Sequence, residues 1–566
     1  MRADVFVAAE APVMTDIVAG LAQVGLLVVA LAVVYRPFGG YLAHVFTTEK
    51  HWRVEQAIYR LVRVNPDSEQ RWPTYAAGVL GFGFVSALLL YLIQRFQPLL
   101  PLNFGRSIPP GMAFNTAVSF TTNTNWQSYV PEQVMGDTVA MAGLTVQNFV
   151  SAAMGMAVAV AVIRGFVRFR TDRLGNVWVD LTRATVRILL PISFAFAIVL
   201  VGLGAAMSLR SGVSVTGLDG AQHTIALAPS ASEEAIKELG TNGGGIFNAN
   251  SAHPFENPNA WSNLVEIFLL LVIPVSLTRT VGVMVGNPRQ GHVLLGVMAV
   301  FWTGILTVTW WAEAHPNGPA ARLAGAAMEG KETRFGIPSS TLFATSTTGT
   351  STGAVNSMHD SYSGLGGAGP LFHMLLGEIS PGGVGTGVYG ILVLAIIAVF
   401  LAGLMVGRTP EYLGKKLGRR EVTFASISIL AMPLLVLVGT GLALALPAVT
   451  GSSLTNSGAH GLSEVLYAYT STANNNGSAF AGLTVTNDFY QSTLGIAMVF
   501  GRFVPILATL ALAGSLAAQR KVPETAGTLP TTGPLFATML TGAALLVAAL
   551  TFVPALALGP IAEALA

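Results

Sequence analysis

Four polar stretches recur in a chain that is otherwise strongly apolar. They read Ser119–Gln127 (SFTTNTNWQ), Leu239–Asn248 (LGTNGGGIFN), Ala344–Asn356 (ATSTTGTSTGAVN) and Thr470–Phe480 (TSTANNNGSAF). Hydroxyls, amides and glycines offer neither a nucleophile with its base nor a soft metal-ligand set. They offer oxygen dipoles without full negative charge, and glycine lets backbone carbonyls turn toward a common axis. A dehydrated potassium ion needs that kind of shell, and rings of backbone carbonyls supply it in selectivity filters. The triplets Thr241-Asn242-Gly243, Ser351-Thr352-Gly353 and Asn475-Asn476-Gly477 align as polar, polar, glycine, with Gly244 following in the second copy. In the first copy Thr122-Asn123-Thr124 takes the corresponding place without a glycine, and Asn125 follows. The expected site is therefore a potassium-binding ring of these four loops, less symmetric than a ring of four identical chains.

Such a ring has to be held by membrane-spanning elements, and the composition provides them. Of 566 residues, 52 % are apolar and only 10 % charged, which is outside the range of ordinary water-soluble domains. Ten apolar blocks match the ~20 residues a helix needs to cross ~30 Å of hydrocarbon: 15–36, 74–95, 139–163, 184–208, 263–286, 291–312, 384–406, 423–447, 488–516 and 535–558. The first is followed by Arg36 and Pro37 instead of a cleavage-like site and is expected to be retained. Ahead of each polar stretch lies a segment too short to span, at 110–120, 232–240, 338–348 and 462–472, several opening with helix-start residues such as Pro109-Pro110 or Ser232-Glu233-Glu234. These are expected to be re-entrant pore helices. The fold expected is an all-α polytopic membrane protein: four repeats of span, pore loop and span around one pseudo-fourfold pore, plus one extra helix at each end. The units fall at 1–73 (first extra helix and loop), 74–182, 183–290, 291–421 and 422–521 (repeats one to four) and 522–566 (last extra helix).

Lys and Arg cluster in alternate loops, around 50–71, 164–187, 279–289, 408–420 and 520–521. By the positive-inside rule those loops are cytoplasmic and both termini face outward. A net charge of +2 is uninformative, and the absence of cysteine removes disulfides and thiolate metal sites.

Four further residues are secondary pore candidates. Arg502 lies well inside the block 488–516, where a charge is costly and usually functional. Glu378, before the block 384–406, is a possible partner for it or a cation-attracting group below the filter. Arg408 sits at the inner end of a span, where facing a cavity and snorkelling to headgroups are both open. Gln127 follows the first loop. Gly377, Pro381, Gly382, Gly383, Gly385 and Gly387 break the segment 370–384, a plausible gate. His253, His315, His359, His373 and His460 form no His-x-x-x-His pair, so hydrogen bonding in loops is their expected role and no metal other than potassium is expected.

Longer motifs carry a resemblance. These are TNTNWQ (122–127), GTNGGG (240–245) running into NANSAHPFENP (248–258), GAVNSMHDS (353–361), GRTPEYLGKK (407–416) and NNNGSAFAG (474–482). Together they closely resemble the KdpA family, the potassium-binding subunits of bacterial Kdp potassium-transporting ATPases, over nearly the whole chain. The resemblance implies a fourfold pore of the potassium-transporter superfamily in the inner membrane, with potassium as ligand and no covalent cofactor, and places Gln127 at the pore mouth. It implies as partners a P-type ATPase catalytic subunit (KdpB-like) and two small subunits (KdpC-like and KdpF-like), besides the bilayer, with no nucleic acid. It further implies that the ion leaves the pore sideways toward the ATPase subunit. The chain lacks the Asp-Lys-Thr-Gly phosphorylation motif, and Gly407–Lys415 departs from a phosphate loop in spacing and has no following Ser or Thr, so hydrolysis is expected to reside in another chain. The alternative is a stand-alone Trk/Ktr-type channel or transporter, which shares the repeat but lacks the extra first and last spans.

Overall fold

The computed structural model describes residues 10–315, 327–523, 525 and 527–565. Its long helices are α1 (Glu10–Thr47), α2 (Trp72–Arg95), the short α3 (Pro110–Thr121), α4 (Asp137–Val167) and α5 (Val177–Gly202). The short α6 (Ser230–Leu239), α7 (Ala260–Met284), α8 (Pro288–Ala314), the short α9 (Gly336–Gly349) and α10 (Thr386–Val406) follow. The chain continues through α11 (Arg419–Ala445), the short α12 (Gly458–Asn474), α13 (Asp488–Ala518) and α14 (Pro534–Leu558). Ten of the described helices are long and apolar enough to span a bilayer. Helices are the form such sequences must take, because hydrocarbon offers no partner for an open backbone N–H or C=O.

Burial separates the spans into an inner and an outer ring. The apolar windows of α4, α7, α10 and α13 are 83 %, 72 %, 61 % and 61 % buried, against 28 %, 33 %, 39 % and 17 % for α2, α5, α8 and α11. The second helix of each repeat therefore lines the centre and the first faces lipid. The extra helices α1 and α14 are peripheral, at 11 % and 28 %. Between the two spans of each repeat sits a pore helix of 12, 10, 14 or 17 residues, about 15–25 Å long and too short to cross. Hydroxyls inside these helices bond back to the preceding turn, as Thr348 Oγ1 does to the Ala344 carbonyl (2.7 Å) and Thr472 Oγ1 to that of Ala468 (2.8 Å). That satisfies these two buried hydroxyls within their own helices.

Several span edges differ from the sequence expectation, α5 ending at Gly202 and not 208 among them, and two differences have a reason visible in the contacts. Helix α5 begins at Val177, seven residues before the expected 184, and carries Asp180, Arg183 and Arg187 with it. Asp180 is held bidentately by Arg164 of α4 (2.6 and 2.8 Å) and by the Tyr75 hydroxyl (3.0 Å), while Arg187 pairs with Glu55. Charges that looked like a loop are thus neutralised inside the helix bundle. Helix α1 runs on past Pro37 to Thr47 because Gly39 packs against the backbone and side-chain stem of α7 at Ser276 and Arg279.

Candidate pore and filter

Each pore helix runs directly into its polar loop, and the loops share one backbone path. Thr124, Asn242, Thr352 and Asn476 each donate their N–H to the carbonyl five residues back, on Ser119 (2.9 Å), Lys237 (2.9 Å), Thr347 (3.1 Å) and Ser471 (2.8 Å). The residue before each is left-handed: Asn123 (φ 64°), Thr241 (47°), Ser351 (57°) and Asn475 (62°). The residue after each is left-handed too: Asn125 (55°), Gly243 (133°), Gly353 (79°) and Gly477 (107°). This corrects the sequence alignment of the first loop by one residue. The triplet equivalent to Thr241-Asn242-Gly243 is Asn123-Thr124-Asn125, with Thr122 outside it as the partner of Thr350. Hydroxyl pairs support that register, Thr122 with Thr124 (2.8 Å) and Thr350 with Thr352 (2.6 Å). Asn125 takes the glycine's place because asparagine tolerates the left-handed well.

The four loops close a ring in chain order. A Cβ on Gly243 would overlap the Thr352 carbonyl oxygen of the third loop, one on Gly353 the Asn476 oxygen of the fourth, and one on Gly477 the Thr124 oxygen of the first. Between the first and second loops the join is made by side chains: Asn123 Nδ2 donates to the Thr241 carbonyl (2.7 Å) and Asn242 Nδ2 to Asn123 Oδ1 (2.8 Å). Thr124, Asn242, Thr352 and Asn476 are fully buried. Among the described residues no protein donor reaches their carbonyl oxygens, nor those of Asn125, Gly243, Gly353 and Gly477. Buried carbonyls are nearly always bonded, so two sets of four free oxygens at equivalent positions are left for a group the described residues do not supply. The C-termini of four pore helices meet there, each carrying about half a negative charge.

The secondary candidates separate. Gln127 accepts from the Gly245 N–H (3.0 Å) and donates to the Tyr129 hydroxyl (3.3 Å), so it ties the first loop to the second. Glu378 lies beneath the ring beside Ser351 and Asn476, its two carboxylate oxygens buried without a donor in hydrogen-bonding geometry. Arg502 lines a cavity of about 130 Å³ with Gly377, Thr386, Asn474 and Asn475. It makes no ion pair with Glu378 among the described residues. Arg408 does not join the pore: it is exposed, just past the left-handed Gly407 that ends α10. The broken segment before α10 packs under the ring, with Gly382 N–H on the Gly349 carbonyl (2.8 Å) and Val384 N–H on Thr241 Oγ1 (2.9 Å).

Sequence reasoning missed two polar clusters. Lys237, in the segment 232–240 expected as a pore helix, is fully buried in α6 among Glu234, Glu238 and Glu256. His460 bridges Asp360 (3.2 Å) and Glu563 (2.9 Å), which join through it residues 100 and 103 positions away. Those two hydrogen bonds outweigh its partial burial and raise its imidazole to about 10. No local spacing signals either cluster. Of the other histidines, His359 Nδ1 bonds the Tyr467 hydroxyl (2.9 Å) and His253 stacks on Phe247 at 3.9 Å.

Ring, pore helices and paired spans define the class: a single-chain, pseudo-fourfold pore-loop cation transporter. The potassium transporter TrkH of Vibrio parahaemolyticus shares this fold, with a TM-score of 0.50 over 87 % of this chain and 96 % of that one, at 16 % identity. Residues 25–565 match the model of the family described as the potassium-transporting ATPase A subunit, and the chain belongs to that family, KdpA. The potassium-transporting ATPase potassium-binding subunit of Rhodococcus erythropolis is 61 % identical over 555 residues, covering 97 % of this chain and 99 % of that protein. The subunits of the same name from Nocardia farcinica and Streptomyces coelicolor are 62 % and 58 % identical, covering 97 % and 98 % of this chain and 99 % and 100 % of theirs.

Proposed function

We propose that this chain takes potassium from the extracytoplasmic side into the carbonyl ring and passes it into an ATP-driven uptake complex whose hydrolytic subunit is a separate chain. The observation that carries the reading is the set of buried, donor-free carbonyls at equivalent positions in four loops. Membership of a family whose relatives are named as potassium-binding subunits of an ATPase supports the division of labour. In this reading repeats 74–182, 183–290, 291–421 and 422–521 surround the ring, the chain lies in the bacterial inner membrane with both termini outside, and the small accessory subunits complete the complex. The cavity below the ring is lined by Tyr389 of the inner helix α10 and by Met432 of α11 and Val547 of α14, both outer helices. That placement supports a lateral exit past Glu378 and Arg502 toward the ATPase subunit, with the segment 370–384 as its gate.

The test is Gly243→Asp in the co-purified complex, read by potassium-stimulated ATP hydrolysis. The new side chain meets the Thr352 carbonyl and brings a carboxylate into the ring. Half-stimulation should need about tenfold more potassium or more, or discrimination against sodium should fall. Unchanged stimulation refutes the filter assignment, and failure of any ATPase to co-purify refutes the complex.

A further inference from the structure

Lys237 is buried beside the ring without being part of it, and its contacts lead back to the second filter loop. Its ammonium lies 2.5 Å from Glu234 Oε2, 3.0 Å from Asn250 Oδ1, 3.0 Å from Ser251 Oγ and 3.4 Å from Glu256 Oε2. Two of those partners continue to the loop. Asn250 Nδ2 donates to the Gly244 carbonyl, and Glu256 Oε1 accepts the N–H groups of Ile246 (2.9 Å) and Phe247 (3.0 Å). Gly245, between them, has no room to spare: a Cβ there would stand 3.0 Å from Glu256 Oε2.

The pseudo-fourfold register gives this arrangement its meaning. Lys237 occupies the place of Ser119, Thr347 and Ser471, the residues whose carbonyls receive the equivalent loop N–H. In the first repeat the Ser119 hydroxyl donates directly to the Trp126 carbonyl (2.9 Å), which corresponds to that of Gly244. In the fourth, Ser471 Oγ accepts the Gly477 N–H (2.9 Å). The second repeat thus replaces a direct hydroxyl tether by a longer one, ammonium to amide to the same carbonyl. The surrounding carboxylates of Glu234, Glu238 and Glu256 offset the ammonium's charge, which would otherwise repel a cation in the ring. Lysine here is the tethered cation of its own acidic cluster, and this explains how several carboxylates can lie fully buried together.

We infer that Lys237 is a positioning residue which, through Asn250 and Glu256, fixes the outer half of the second loop and so sets how sharply the ring discriminates potassium from sodium. The inference rests on the filter reading above. Lys237→Met keeps the stem and removes the ammonium, Asn250→Ala removes the donor to Gly244 together with the Oδ1 that accepts from the ammonium, and Lys237→Arg restores a cation. In the purified complex, Lys237→Met and Asn250→Ala should each raise the potassium needed for half-stimulation by about tenfold, the scale of a lost charged hydrogen bond. They should narrow the potassium-to-sodium ratio with maximal rate within about twofold of wild type, and the double variant should be no worse than Lys237→Met, because both cut one chain of contacts. Lys237→Arg should recover most of the ratio. Should Lys237→Met fail to assemble, Asn250→Ala carries the test alone. Wild-type half-stimulation and ratio in Asn250→Ala, or a loss confined to maximal rate, overturns the inference while Gly243→Asp still reports the filter. If Gly243→Asp is silent as well, both readings fall together.

Discussion

Gly477→Ala should weaken potassium binding markedly. Its φ of 107° lies well outside the left-handed well near 57° that an L residue tolerates, which costs about 1–3 kcal/mol. The added Cβ also overlaps the Thr124 carbonyl oxygen, one of the free ring oxygens. Relief must come either from the fourth loop or from that oxygen, and both movements open the ring. Taking about 2 kcal/mol as falling on the ion-bound ring alone, half-stimulation shifts by about thirtyfold, at 1.4 kcal/mol per decade. Asn125→Gly is the matched control at the equivalent position of the first loop. There φ is 55°, inside the well, so glycine relieves no strain and the loss is the Asn125 Nδ2 bond to Asn148 Oδ1 (2.6 Å), about 1 kcal/mol or about fivefold. Potassium-stimulated hydrolysis by the intact complex gives both numbers, with size-exclusion behaviour confirming assembly. The reasoning is refuted if Gly477→Ala, properly assembled, shifts half-stimulation no more than Asn125→Gly does.

Two further outcomes concern the scaffold. Arg164→Met leaves Asp180 buried with only the Tyr75 hydroxyl on it, and an uncompensated buried charge costs about 3–5 kcal/mol; thermal unfolding in detergent should show a clear drop in midpoint, and a shift of under about a degree would contradict the pairing. His460 is held at about 10 by Asp360 and Glu563, above its unfolded value, so the bridge contributes fully below the ordinary imidazole range and is lost as pH rises through about 10. The stability gap between wild type and His460→Gln should therefore be widest near pH 6 and shrink toward pH 10, and a gap that stays constant or widens would count against the bridge.

Much of the architecture was legible because its signal is blunt: a bilayer demands long apolar runs, and four of the intervening loops share an unusual composition. What escaped was information carried by contacts between distant residues. Alignment of the first loop on residue type slipped by one because Thr122-Asn123 matches Thr241-Asn242 by identity, whereas the backbone puts any residue able to hold φ near 55° in the glycine's place, and Asn125 can. Asp180 marked a false start to a span because its partner, Arg164, comes from another element. Lys237 sits 13 to 19 residues from Asn250, Ser251 and Glu256, and nothing in its neighbourhood of sequence distinguishes a buried tether from a solvated base.

The slip in the first loop also has a structural consequence. At three joins of the ring a glycine gives way to its neighbour's carbonyl, so identity there is fixed by space as well as by φ. At the fourth, between the first and second loops, the corresponding residue is Asn125, and the join passes to amides: Asn123 and Asn242 bind each other, and Ser151 of α4 donates to Asn123 Oδ1 (2.7 Å). A ring of identical chains would have to make all four joins alike. Four unequal loops in one chain permit one join to dispense with the glycine contact and one loop to be tethered through a buried lysine, and both departures fall on the second loop. The inner edge of that loop is bonded by Asn123 and its outer edge by Gln127, Asn250 and Glu256, whereas Gly243 alone faces the third. Substitutions behind the second loop should tell more about selectivity than equivalent ones behind the third, where Thr347 Oγ1 has no partner at all among the described residues.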